Sequence, residues 1–401
     1  MATKPLSPNT IALVKATVPA LQTHGAEIVR TMYARMFRNP AIRDLFNQSH
    51  HSGDAPQQRA LAMAILAYGA NIDNLGALTA AVERIAQKHV GLQILPEHYP
   101  YVAEALLGAI KEVLGDAATD EILAAWGEAY WFLADILITR EAALYRQNAE
   151  AEGGWTGWRP FVVEDVRPES AVITSFLLRP QDGGKVVPHK PGQYLTFWLD
   201  IPGQPATKRN YSISCAPNDA TYRISVKREP HGLASRWMHD QVKPGTVLKV
   251  SPPAGDFWLE GTPSRPVVLL SGGVGLTPMV SMLEAAAAGG WETDVHFVHG
   301  TLDGSTHAFG AHVRAVASRL PRGRVSVIYE APRAEDDGHD ATGRITGAWL
   351  AANTPFAEAD YYLCGPKPFM RAMIEALGRL GVGADRIHYE FFGPADELLA
   401  A

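Results

Sequence analysis

Cysteine is almost missing from this chain. Cys215 and Cys364 are the only two among 401 residues, and they stand in unrelated contexts. That excludes a disulfide scaffold and any CxxC metal or redox motif, and it suits a reducing compartment. Positive charge is not in excess either: 36 Lys and Arg against 42 Asp and Glu leave a net charge of −6. No basic footprint for nucleic acid or an anionic surface is present. The longest apolar run, around Tyr130 to Ile138, contains Asp135. It is far short of the roughly 20 residues needed to span a bilayer. The opening MATKPLSPNT has no apolar segment behind its single Lys, so no secretory signal is expected and a cytoplasmic protein is. Internal repeats and low-complexity segments are also lacking.

What is there is globular: 47% of residues are hydrophobic and 19% charged. The length exceeds one ordinary core and calls for two or three domains. The pattern changes near residue 150. Before it, apolar residues recur at helical spacing, as in Val29, Tyr33, Met36 and Phe37, or Val82, Ile85, Ala86 and His89. Pro96 opens a helix over Glu97 to Leu114, and a long one runs from Asp120 to about Arg146. An all-α domain over 1–147 is expected, then a Gly-rich linker over 148–157 (EAEGGWTGW spans 150–158). VITSFLL, QYLTFWLD, RNYSIS, TYRISVKR and VLKVSPP follow as short strands, and a six-stranded antiparallel β-barrel is expected over 158–262. From Arg265, strands VVLLSG, VHFVHG, RVSVIYE and DYYLCG alternate with helices, which predicts a parallel α/β sheet over 263–401. Three domains are expected.

The most pointed local chemistry is SGGVGLTP, Ser271 to Pro278, between an apolar strand and a helix. Glycines let the backbone turn tightly and approach a diphosphate, and the N–H groups of a helix start favour phosphate. Thr277 is the expected N-cap, with Pro278 at the first helical position. Alone, the segment is equally readable as a tight turn. Cys364-Gly365-Pro366 lies beyond another strand of the sheet, where ligands of open α/β folds bind, and also reads as a buried Cys before a turn. In the barrel, Pro191-Gly192-Gln193-Tyr194 opens one strand and Arg209-Asn210-Tyr211-Ser212 forms another. Arg209 offers a fork of donors to a diphosphate, Tyr211 a ring to pack on a flat cofactor, and Ser212 a hydroxyl. Gly255-Asp256-Phe257 adds a further turn.

In this order and on these elements, PGQY, R-x-Y-S, GDF, GGVGLTP and CGP resemble the ferredoxin-reductase family of flavoproteins over about residues 158–401. The resemblance implies an FAD barrel followed by a nicotinamide-binding domain, with hydride passing from nicotinamide to flavin. FAD contacts then fall on Tyr194, Arg209, Asn210, Tyr211 and Ser212. Nicotinamide contacts fall on Gly273, Val274, Gly275, Leu276, Thr277 and Pro278, with Cys364, Gly365 and Pro366. The run His388-Tyr389-Glu390-Phe391-Phe392-Gly393-Pro394 resembles the tail of flavohaemoglobins, which implies that Glu390 and an aromatic lie beside the flavin edge. Many of that family carry Cys where Phe391 stands. NADH is favoured over NADPH, since VHGTLDGSTHAF after the second strand has no Arg cluster for a 2′-phosphate.

His89 on an apolar helix face is by itself more often a satisfied core residue than a ligand. The segment Ala81 to His89, followed by Pro96-Glu97-His98-Tyr99, is similar to the proximal haem region of flavohaemoglobins. On that resemblance His89 is the proximal ligand of a haem b iron, with Tyr99 and Glu141 behind it. Glu141 also reads as a solvated helix charge near Arg140, and Lys88 as a surface cation, although the resemblance puts Lys88 near the haem or the reductase as a tuner of electron transfer together with Glu390. On the distal side the resemblance falls on Tyr33, Gln57 and Leu61; His50 and His51 read as loop residues.

The two resemblances cover essentially the whole chain. They imply a nitric oxide dioxygenase in which electrons pass from NAD(P)H through FAD to haem, where O2 and NO become nitrate. Tyr33 would hydrogen-bond the oxygen. Reduction of peroxides, quinones or external acceptors on the same scaffold stays open, as does a gas-binding sensor. A monomer is expected, with no nucleic-acid partner; lipid in the haem pocket is left open.

Overall fold

The computed structural model describes residues 5–45, 56–259 and 261–393. The chain divides into two compact units. One holds the chain up to Glu150 together with Pro202–Lys208, the other Ala151–Ile201 and Arg209–Gly393.

Up to Glu150 the described residues are helical: α1 (Pro8–Ala16), α2 (Val18–Met36), α3 (Pro40–Arg43), α4 (Pro56–Ala70), α5 (Thr79–Leu92), α6 (Tyr99–Leu114) and α7 (Asp120–Glu150). The start of α1 has a local cause. Ser7 caps α1 through its Oγ on the Thr10 amide at 3.0 Å, with Pro8 in the first turn. On α2, Ile28, Val29, Met32, Tyr33 and Met36 are buried, a 3–4 spacing that makes one stripe against α4 and α6. Helix α5 ends at Gln93, whose left-handed φ of 62° turns the chain towards Pro96. Helix α7 continues past residue 147 to Glu150, so part of the expected linker is helical. Among the described helices α7 alone is long and apolar enough to cross a membrane by length and composition. Its buried residues, Ala125 through Leu144, pack against α1, α5 and α6 and include Glu141.

Beyond Glu150 come strands β1 (Arg159–Pro168), β2 (Ile173–Pro180), β3 (Tyr194–Leu199), β4 (Thr207–Ser212), β5 (Tyr222–Lys227), helix α8 (Leu233–Gln241) and β6 (Val247–Val250). They form the expected six-stranded sheet, in the order β4-β3-β6-β1-β2-β5, and the described pairings are antiparallel. An Ile213–Ile224 bridge joins its two edges. Phe161, Phe176, Phe197 and Tyr222 fill the interior. Trp155, in the stretch expected as a linker, is buried in this core and donates through Nε1 to Val250 O at 3.2 Å. A large indole gains more from burial than a Gly-flanked turn loses by bending inward.

The rest is β7 (Val267–Gly272), α9 (Leu276–Ala288), β8 (Val295–Thr301), α10 (Gly310–Ala317), β9 (Gly323–Tyr329), β10 (Ala341–Thr342), α11 (Gly347–Asn353), β11 (Asp360–Cys364), α12 (Lys367–Arg379) and β12 (Ile387–Glu390). The sheet runs β10-β9-β8-β7-β11-β12 with parallel neighbours. Every residue of β7 is buried, as parallel strands covered on both faces require. The order reverses between β7 and β11, where Ser271 pairs with Cys364 and Cys364 with Glu390. One local expectation is corrected. A 3-10 turn over Gly273–Gly275 starts the winding early, so α9 begins at Leu276 and Thr277 is inside it. Thr277 is no cap: its Oγ1 donates back to Val274 O at 3.1 Å.

Candidate functional site

In the first unit the chemistry gathers behind His89, on α5. Its Nδ1 stands 2.8 Å from Glu141 Oε1 and 3.2 Å from the Tyr99 hydroxyl. Tyr99 donates to the same Oε1 at 2.6 Å. A carboxylate only accepts, so Nδ1 carries the proton and Nε2 is left with its lone pair. Among the described residues no hydrogen bond reaches Nε2. The imidazole is 30% exposed, whereas Glu141 is 2% exposed.

Helix α7 holds this arrangement through residues on one face. Tyr130 donates to Tyr99 O at 2.7 Å, and Tyr145 to Ile94 O at 2.7 Å, so both ends of the 94–99 segment are pinned. Arg140 points away from Glu141 and forks onto Glu83 of α5 at 2.6 and 2.8 Å. Glu141 is therefore not the solvated charge that its neighbour allowed. Burial, then the bond to Glu141, holds the Tyr99 hydroxyl far above the usual phenol range, so it stays a donor. Glu141 Oε2 is buried with no partner among the described residues, which leaves the carboxylate to its Oε1 bonds.

A lone pair backed by a buried carboxylate is the donor set that suits an iron-bound imidazole, so these residues fit a haem. On α2, Tyr33 is 3% exposed, its ring tilted against Phe37 at 5.4 Å, and burial raises its hydroxyl. Half-buried Leu61 joins the same apolar cluster. Gln57 lies in the first turn of α4, but its side chain falls outside the described residues, as do His50 and His51. Lys88 is half-buried beside His89.

In the barrel, Tyr194 opens β3 and exchanges backbone bonds with Ala254 at 3.0 and 2.9 Å. Its hydroxyl is fully buried with no partner among the described residues, and burial together with Glu390 and Asp256 pushes its ionisation up. Thr196 Oγ1 is orphaned in the same way. Neighbouring β4 carries a half-buried Arg209, whose guanidinium burial makes less basic, and Tyr211, tilted on Phe197 at 5.6 Å and pushed up to about 12 by burial. Asn210 is exposed and Ser212 buried. Orphaned hydroxyls on β3 and a half-buried guanidinium on the adjacent strand β4 fit the polar chain and diphosphate of a flavin dinucleotide.

Beyond β7, Gly273 takes a φ of 52° with open space where a side chain would stand. A Cβ on Gly275 would lie 2.2 Å from Cys364 O, so only glycine lets the turn press against Cys364-Gly365. Cys364 is fully buried, and burial followed by the charge of Glu390 keeps its thiol protonated. Pro366 precedes α12. Val274 is half-buried, and Gly275 through Pro278 are buried. Glu390 ends β12 and is half-buried, Phe391 lies beside Gly393, and Phe392 is 48% exposed; Pro394 is outside the described residues.

The globin family matches residues 30–137 and the oxidoreductase NAD-binding domain family residues 269–375. A flavohemoprotein of Xylella fastidiosa (strain 9a5c) is 55% identical over 98% of this chain and 99% of its own. The chain belongs to the flavohaemoprotein family. A second flavohemoprotein, from Rhodopirellula baltica, is 45% identical over 98% of this chain and 100% of its own. A crystal structure of flavohemoglobin from Malassezia yamatoensis, with bound FAD and heme, matches at TM-score 0.88 and 28% identity over 97% of this chain and 100% of that one. The FAD/NAD-binding domain of a nitric oxide dioxygenase from Vibrio cholerae matches at TM-score 0.54 and 39% identity over 59% of this chain and 99% of that one.

As a flavohaemoprotein the chain is an oxidoreductase, with a globin domain ahead of a flavin- and NAD-type reductase. Several residues around these sites in this flavohaemoprotein carry no motif that singles them out in the sequence. Tyr130 and Tyr145 share the inner face of α7 with Glu141, a spacing that could have named them. Thr196 shares the Tyr194 face of β3 by strict alternation with core residues Leu195 and Phe197.

Proposed function

We propose that this flavohaemoprotein is an NADH-dependent nitric oxide dioxygenase, binding haem b through His89 and FAD through the β3–β4 face of the barrel. The strongest support is the 2.8 Å contact between His89 Nδ1 and buried Glu141. A storage globin has no need of so strong an electronic push, and a bare reductase has no need of the histidine. The Malassezia relative binds both groups, and the Vibrio relative is itself a nitric oxide dioxygenase.

When bound, haem supplies the iron at which oxygen and nitric oxide react, and FAD divides the two electrons of a hydride into single ones. The chain does the rest. Glu141 gives His89 partial anionic character, and Tyr99 moderates it by donating to the same oxygen. Tyr33 is a buried, un-ionised phenol able to donate a hydrogen bond on the distal side, and Leu61 narrows that space. Gly273 to Pro278 with Cys364 to Pro366 seat the nicotinamide dinucleotide, while Glu390 sets the charge beside Tyr194. NADH is the proposed donor because the loop after β8 carries buried Asp303, and the nearby guanidinium of Arg333 is already paired with it at 3.1 Å.

Nitric oxide, oxygen and one electron together make nitrate, so one hydride supports two nitrates. With both gases and limiting NADH, nitrate should form at that ratio. Rapid NADH oxidation without nitrate, or oxidation that instead tracks added peroxide or quinone, would overturn the assignment.

A further inference from the structure

Helix α9 begins at the glycine turn and then runs along the barrel. Its sequence, LTPMVSMLEAAAA, is mostly apolar and carries a single charge, Glu284. That charge is not solvated; the side chain is 15% exposed. Oε2 accepts from the backbone N of Ala216 at 2.7 Å. Oε1 accepts from Arg223 Nη2 at 2.7 Å and meets His312 Nε2 at 2.6 Å. Ala216 and Arg223 belong to the barrel, His312 to α10. One turn earlier Ser281 donates to Cys215 O at 2.7 Å, and buried His189 reaches the same carbonyl at 3.1 Å. Arg223 is further fixed by Ser214 O and by the Phe309 ring, 5.0 Å from its guanidinium carbon.

We propose that Glu284 is a positioning residue for hydride transfer: it locks α9, and with it the dinucleotide turn, against the flavin barrel. The inference rests on the second unit being a flavin–dinucleotide module and is independent of the gas chemistry. Glu284 lies eight positions beyond the start of α9, roughly 12 Å along the axis, so it acts on hydride transfer through the helix. Reacting atoms must stand about 3–3.5 Å apart, and displacement by about 1 Å costs on the order of a hundredfold in rate. A carboxylate with three donors from two subdomains resists such a displacement where apolar packing would slide. Burial alone would raise the Glu284 carboxyl, but His312, Arg223 and the Ala216 amide more than offset it and hold it below the usual range. It is ionised at neutral pH.

The test uses the full-length protein loaded with haem and FAD, as Glu284→Gln, Arg223→Gln and the double variant. Gln keeps the shape but turns an amide N–H2 towards donors or withdraws an acceptor. In Glu284→Gln, FAD content and half-saturation by NADH are expected to stay within about twofold of the parent. Anaerobic flavin reduction at saturating NADH should slow at least about tenfold. The Ala216 amide should exchange its hydrogen faster, and the double variant should be no slower than the worse single one. Should Glu284→Gln fail to fold, Arg223→Gln carries the same readouts. A rate within about twofold of the parent despite faster Ala216 exchange would overturn the proposal, as would a rate loss that only follows FAD loss or additive effects in the double variant.

Discussion

His89 and Glu141 lie 52 residues apart and meet at 2.8 Å through Nδ1 and Oε1. The same oxygen takes the Tyr99 hydroxyl at 2.6 Å, so two donors compete for one carboxylate. Whatever charge Tyr99 draws is withheld from the imidazole. On the proposed function, the pair would act as a graded electron donor to whatever Nε2 holds.

Removing the carboxylate and removing the phenol should move the haem in opposite directions. Glu141→Gln should raise the midpoint potential of the ferric/ferrous couple, and Tyr99→Phe should lower it. Losing one such bond is about 1 kcal/mol, or roughly 40 mV for one electron. Potentiometric titration checks both, and shifts of the same sign would refute the competition.

His89→Ala should yield protein that retains FAD but shows no Soret band after haem is supplied. A normal Soret absorbance would place the iron ligand elsewhere.

Tyr33 is buried and remains a phenol at all ordinary pH. Tyr33→Phe should release oxygen about tenfold faster or more, since one hydrogen bond of roughly 1–3 kcal/mol is lost. Flash photolysis measures that rate directly; an unaltered value removes Tyr33 from oxygen binding.

Gly275→Ala puts a methyl group into Cys364 O. The turn must open, and NADH should no longer reduce the flavin efficiently, while FAD content and the haem spectrum persist. Unaltered reduction kinetics would show that the turn does not need its close approach.

Histidines shielded from water should make the second unit acid-sensitive: His299 and His189 are buried and His307 is half-buried. Burial depresses His299 to about 3, and His189 and His307 to about 4. Their folded values lie below the unfolded value near 6.5, so the unfolded chain binds more protons below that pH. Stability should accordingly fall as pH drops from about 6.5 towards 4, each group contributing up to about 1.4 kcal/mol per pH unit. Denaturant unfolding followed by flavin fluorescence checks the slope, and His299→Gln should flatten it.

Much of this fold is legible in the sequence because periodicity and punctuation agree. The stripe on α2 and the continuous apolar run of β7 each announce their surroundings. Other features depend on partners distant along the chain. Arg140 and Glu141 are adjacent on a helix and differ by a rotation of about 100°, so their charges alone do not say which faces inward. Strand β1 is interrupted at Val163/Asp165 by a register shift, which breaks the alternation that would reveal it. Strand β12 is four residues long and owes its existence to β11. Glu284, amid alanines, reads as a solvated charge until Arg223 and His312 are brought to it. The motif residues of the reductase are local and easily found; the carboxylates that orient other groups are not.

The most direct measurement is the visible spectrum of oxidised protein mixed anaerobically with NADH. The account predicts that flavin absorbance bleaches first and the haem Soret band then moves to its ferrous position in the same molecules. A flavin that bleaches while the haem stays ferric, or no response with both pigments bound, would contradict transfer of electrons along this chain.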